Sequence, residues 1–155
     1  DKKVEDGMDI TLCAIDQKNG FIDYAGANNP LWIVRSNDLL DGHHADRVVE
    51  GVESSLLEFK ANKQPVGLYP EMKDFSTTRI PIQKDDQLYL FSDGYADQFG
   101  GEHGKKFKSG ALKQEILQNS TLNMSEQEFH LFQTFKDWMG DQDQVDDVCV
   151  IGIQL

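Results

Sequence analysis

Two junctions in this sequence place carboxylates where apolar strand-like runs end. The run Leu88-Tyr89-Leu90-Phe91 stops at Ser92-Asp93-Gly94, and Asp146-Asp147 stands directly before Val148-Cys149-Val150-Ile151. An acid at the end of a buried strand has two ordinary explanations. The first is a turn, since Asp-Gly is a common hairpin signal, and a partner strand should then follow at once. Tyr95-Ala96-Asp97-Gln98-Phe99-Gly100-Gly101 has no sustained alternation and carries two glycines, which weakens that reading. The second is chemical. If the acidic ends belong to neighbouring strands, two or three carboxylates crowd together, and a hard divalent cation with oxygen ligands relieves their repulsion. Residue types and spacing leave both open, solvated turn acids being the commoner origin of such a pattern.

Other reactive side chains add little. His43-His44 lies in a polar stretch, His103 in a Gly-rich one and His130 on a helix flank; none has zinc-ligand spacing with another or with a cysteine. The sequence has no Gly-x-Ser-x-Gly elbow, no phosphate-binding P-loop and no dinucleotide fingerprint. Lys105, Lys106 and Lys108 form a small basic patch near the first acidic junction. A solvated loop is its ordinary reading, contact with a phosphorylated partner its functional one.

These junctions must be held by a domain of modest size. A chain of 155 residues builds one domain with a sizeable core. Its 27 acids against 15 bases give a formal charge of −12, which opposes binding to nucleic acid and anionic membranes. No apolar run is long enough to cross a bilayer and no signal peptide is visible, so a cytoplasmic location is expected. Cys13 and Cys149 sit in apolar runs and read as reduced core thiols, with a disulfide as the alternative.

Strands are expected over 8–16 and 21–25, joined by a Lys18-Asn19-Gly20 turn, then over 31–35, 56–59, 77–82, 87–92 and 148–153. Pro81 marks its strand as an edge or bulge. Two helices lie between the last two strands. The first, over 107–119, aligns Leu112, Ile116 and Leu117; the second opens on a Ser125/Glu128 capping box with Met124 stapled to Phe129. Its stripe of Leu131, Phe132, Phe135, Trp138 and Met139 is core-forming, and Gly140 ends it. Hairpins first, helices late and one closing strand indicate an α+β fold with mainly antiparallel sheet.

Four blocks in this order carry a family likeness: Tyr24-Ala25-Gly26-Ala27-Asn28-Asn29-Pro30-Leu31, Gln64-Pro65-Val66-Gly67, the stretch from Leu90 to Gly101, and that from Gln144 to Gly152. Together they resemble the SpoIIE/RsbU-type branch of the PPM metal-dependent serine/threonine phosphatases. The resemblance implies a PPM-phosphatase-like sandwich of two mainly antiparallel β-sheets flanked by helices, N-terminally truncated. It implies a centre of two Mn²⁺ or Mg²⁺ ions in the intact domain, and hydrolysis of phosphoserine or phosphothreonine on a partner protein in bacterial signalling. Carried over by position, Asp93 is the metal-binding aspartate of the Ser-Asp-Gly motif, with Gly94 as backbone beside the site, and Asp146 is the first aspartate of the late pair. Asp147 belongs to the ligand set less directly, because neighbours on an extended chain point to opposite sides.

One departure is serious. The family's opening Gly-Asp block and its following Asp-x-x-Gly-His-Gly-like block are absent, and Asp6-Gly7 and Asp9 lie too close to the first hairpin to replace them. Residues 1–155 are therefore expected to be a single domain, the C-terminal portion of a phosphatase domain whose sensor domain lies upstream in the same protein. Such a portion would hold one ion or none and be weakly active or inactive. It would also leave apolar surface or a strand edge uncovered, which favours self-association. The alternative is a non-catalytic interaction module with the same sandwich.

Overall fold

The first hairpin shows how local chemistry fixes the register. Asp16 accepts hydrogen bonds from the backbone and the side-chain nitrogens of Asn19 at 3.0 and 2.7 Å, and Gly20 (φ +76°) turns the chain back. Strands β2 (Ile10–Asp16) and β3 (Phe21–Ala27) then pair from Asp16↔Phe21 to Ile10↔Ala27. The computed structural model describes residues 7–67 and 72–155. The remaining strands are β1 (Gly7–Met8), β4 (Leu31–Ser36), β5 (Arg47–Val49), β6 (Ser54–Phe59), β7 (Val66–Gly67), β8 (Thr78–Pro81), β9 (Gln87–Phe91), β10 (Phe99–Gly100), β11 (Lys105–Lys106) and β12 (Val150–Gln154). The helices are α1 (Gly94–Asp97), α2 (Ser109–Gln118) and α3 (Met124–Met139).

Two antiparallel sheets carry the fold. One runs β12–β9–β4–β6–β5, the other β2–β3–β8. Residue alternation divides the central strands between two cores. Leu31, Ile33, Leu57, Phe59 and Leu88 face the small sheet and pack on Ile22, Tyr24 and Ile80. Their neighbours Trp32, Val34, Leu56 and Tyr89 face outward and are covered by Tyr95, Leu112, Ile116, Leu131 and Phe135 of the helices. Helices therefore cover the outer face of the large sheet, whereas Leu12 on β2 is 62% exposed. The expected sandwich of antiparallel sheets with flanking helices is observed, and β8 with Pro81 is an edge strand.

One end of the sandwich is closed by a buried ion pair. Arg35 on β4 donates two parallel hydrogen bonds to Asp86 at 2.8 and 2.7 Å, and a third to the Pro81 carbonyl. Asp86 has no exposed surface and also accepts from the backbone N–H of Gln83. The pair ties β4 to the segment that joins the two sheets. The opposite end, where β9 and β12 reach their acidic junctions, stays open.

Three expectations need correction. The capping box on α3 is formed by Asn123 and Glu126, not Ser125 and Glu128: Asn123 has extended backbone, and its side chain accepts from the Glu126 N–H. Both pairs satisfy the same spacing, but the helix begins at Met124, which leaves Asn123 as its cap. Phe132, expected in the core, is 60% exposed, and Phe129 is exposed too, so the buried stripe narrows to Leu131 and Phe135. Cys149 is exposed, and both cysteines are free thiols.

Phe135→Ala should cost about 3–5 kcal/mol in a denaturant melt, whereas Phe132→Ala should cost less than about 1 kcal/mol. The two thiols should also differ. Burial pushes the Cys13 thiol up to about 11, so iodoacetamide should label the exposed Cys149 first, and mass spectrometry of the native chain should find a single adduct there.

Candidate functional site

The open end is organised by the pairing of β9 with β12, in register from Gln87↔Gln154 to Phe91↔Val150. Hydrogen bonding continues past both strands. The Ser92 N–H donates to the Cys149 carbonyl at 2.9 Å. The Ser92 hydroxyl accepts from the Cys149 N–H at 3.0 Å and donates to the Asp147 carbonyl at 2.8 Å. One serine thus clips the two acidic junctions together. Nothing in the spacing of the Ser-Asp-Gly motif says what this hydroxyl bonds.

Beyond the clip the chain enters α1, not a hairpin. Asp93 already has helical backbone angles (φ −73°, ψ −17°), and its carbonyl accepts from the Asp97 N–H at 2.9 Å. Its carboxylate makes no capping hydrogen bond and is exposed at the open end. Gly94 is needed for a steric reason: a Cβ there would collide with the Asp147 carbonyl oxygen. On the facing segment, Asp146 Oδ1 accepts from the Asp147 N–H at 2.7 Å. The structure therefore brings Asp93, Gly94 and the Asp146-Asp147 segment to one place.

The acidic segment is held from behind by Gln98, a fully buried residue that no sequence pattern marked. Its side chain donates to the Asp143 carbonyl at 2.9 Å and accepts from the Val145 N–H at 3.3 Å. Its own carbonyl accepts from the Trp138 indole and the Phe107 N–H. The linker before Asp146, polar and featureless in sequence, is thereby pinned to α1 and α3.

Beside Asp93 opens a cavity of about 420 Å³. Its floor includes Trp32, Glu58 and Phe91, and its rim includes Asp97, Lys106 and Lys108. A buried ion pair underlies the floor. Lys113 of α2 meets Glu58 of β6 at 2.5 Å, and the Trp32 indole donates to the same carboxylate oxygen at 2.8 Å. The lysine ammonium also lies 5.0 Å from the centre of the Trp32 ring. Lys113 stands next to Leu112 on the apolar face of α2, so its burial was not legible in the pattern.

Among the described residues no three His, Cys, Asp or Glu side chains converge as a metal site. The carboxylates at the open end therefore do not by themselves complete the ligand set of a divalent ion, even though their oxygens suit Mn²⁺ or Mg²⁺.

The family model for Stage II sporulation protein E (SpoIIE) matches residues 3–155. The chain belongs to the SpoIIE family. Among curated proteins none matches this SpoIIE-family chain in sequence. Its fold is similar to that of the SiaA-PP2C domain of Pseudomonas aeruginosa, with a TM-score of 0.76 and 22% identity over 95% of this chain and 51% of that one. It is also similar to the phosphatase domain of the cell fate determinant SpoIIE from Bacillus subtilis, in two structures, one of them Mn presoaked. These give TM-scores of 0.61 and 0.60 at 14% identity, over 95% and 94% of this chain and 56% and 57% of those. The chain thus spans about half the length of the solved chains it matches. In this SpoIIE-family member the Ser-Asp-Gly motif and the late Asp-Asp pair are the two sides of the Ser92 clip.

Gly94→Ala should force the Asp147 carbonyl away from α1. A loss of about 1–3 kcal/mol is expected from overpacking, and amide exchange at Ser92 and Cys149 should speed up beyond what global destabilisation explains.

Proposed function

We propose that this chain is part of a metal-dependent serine/threonine protein phosphatase domain, acting on phosphoserine or phosphothreonine of a partner protein. The observation that carries the reading is the Ser92 clip, which sets Asp93 beside the Asp146-Asp147 segment at the open end of a PP2C-like sandwich. In this reading Asp93 and Asp146 ligate Mn²⁺ or Mg²⁺, Asp147 supports the site with its backbone carbonyl on Ser92, and further ligands come from outside the described residues. The chain's charge of −12 argues for a protein substrate over a nucleic-acid one. We place the domain in the cytoplasm, as the output of a sensor domain in the same protein; no helix among the described residues is long and apolar enough to cross a membrane.

A second reading has its own support. That no three His, Cys, Asp or Glu side chains converge among the described residues suits a non-catalytic interaction module that keeps the sandwich and binds partners. The two separate in one assay of the full-length protein, by phosphate release from a phosphopeptide with and without Mn²⁺ or Mg²⁺. A phosphatase should show metal-dependent release, and Asp93→Asn should reduce it on the order of a hundredfold with little change in melting temperature. Binding of the phosphopeptide without turnover would support the interaction module instead.

A further inference from the structure

The cavity beside Asp93 holds an uneven set of charges. Lys106 pairs with Asp97 at 2.9 Å, and Lys113 beneath the floor pairs with Glu58. That leaves one carboxylate, Asp93, and one ammonium, Lys108, each without an ion-pair partner among the described residues. A cation left over at the mouth of a cavity, on a chain with a formal charge of −12, is a local exception to a field that repels anions.

The backbone of Lys108 is the second observation. It adopts φ +76° and ψ 146°, a conformation favourable for glycine and strained for a residue with a Cβ. The surroundings hold it there. Its N–H donates to the Ala96 carbonyl at 2.7 Å, so the residue is fastened to the short helix that Asp93 begins. The preceding Phe107 ring packs edge-on against Tyr95 and Trp138, with centroids 5.3 and 5.4 Å away. The Lys108 carbonyl accepts from Ala111 and Leu112, which opens α2. Glycine would satisfy every one of these backbone bonds without strain. The fold therefore gains nothing from a lysine here, and its side chain is the part left to explain.

We propose that Lys108 binds the phosphoryl oxygens of the phosphoserine or phosphothreonine substrate in the cavity it shares with Asp93. The inference rests on the phosphatase reading above and names the residue that recognises the substrate's charge. An ammonium on a flexible stem suits phosphate as a point charge. The first turn of α2, which carries no acidic residue, lies on the same rim and adds no opposing charge.

The test uses the full-length protein with Lys108→Gly and Lys108→Arg, assayed at saturating Mn²⁺ on a phosphopeptide and on p-nitrophenyl phosphate, with a thermal melt of each variant. Lys108→Gly should melt at or above the wild-type temperature, because the strained backbone is relieved. Its KM should rise about tenfold on both substrates, the loss of one charge-assisted contact. Lys108→Arg should recover most of the wild-type KM. Unchanged KM in Lys108→Gly overturns the proposal. A loss confined to the phosphopeptide also overturns it, since the lysine would then read the peptide and not the phosphoryl group. A lower melting temperature in Lys108→Gly, without recovery by arginine, would mean a structural role. If the wild-type protein releases phosphate from neither substrate, the phosphatase reading itself has failed, and this proposal falls with it.

Discussion

The return of β12 to the edge of β9 is the constraint on which the open end depends. Three helices and their loops separate the two strands in sequence, so their pairing closes a long loop at an entropic cost that grows slowly with its length. The cost is offset where Tyr95, Leu112, Ile116, Leu131 and Phe135 bury themselves against the outer face of β4, β6 and β9. Helix packing thus delivers the last strand to its place, and the register then determines which residues meet beyond it. A one-residue slip would exchange the faces of β12 and move Cys149 away from the Ser92 hydroxyl.

The two ends of the sandwich are built from opposite uses of charge. At the closed end, Arg35 and Asp86 are fully desolvated and satisfy each other with two parallel hydrogen bonds. Such a pair adds little net stability over an apolar one, but removing either partner strands a buried charge at a cost of roughly 3–5 kcal/mol. At the open end, Asp93 and Asp146-Asp147 remain in water, and their geometry is imposed by backbone contacts through Ser92, Gly94 and Gln98. The closed end is held by its charges, whereas the open end has its charges held for it.

Much of this was legible in sequence where apolar periodicity dominates. Val, Ile and Leu runs marked β4, β9 and β12, and the spacing of Leu112 and Ile116 marked α2. Periodicity failed where burial is not decided by hydrophobicity. Phe132 fits the α3 stripe by spacing yet is 60% exposed, whereas Phe135 one turn on is buried. Lys113, Gln98 and Arg35 are buried because specific partners meet them, and partners distant in sequence leave no local pattern. The acidic motif was readable as a motif; the serine clip that gives it shape was not, since a hydroxyl's partners are set only by the finished register.

That register also ranks how long different parts of the molecule last. β12 is a five-residue edge strand, and three of its five residues are exposed. Edge strands of this kind open in sub-global fluctuations well below the free energy of complete unfolding. When β12 frays, the Ser92 clip goes with it, while Gln98 still holds the acidic segment from behind and the core between the two sheets and the Arg35–Asp86 closure persist. The Ser92 clip between the two acidic junctions is thus less durable than the core, and on warming it would open while the sandwich that carries it is still folded.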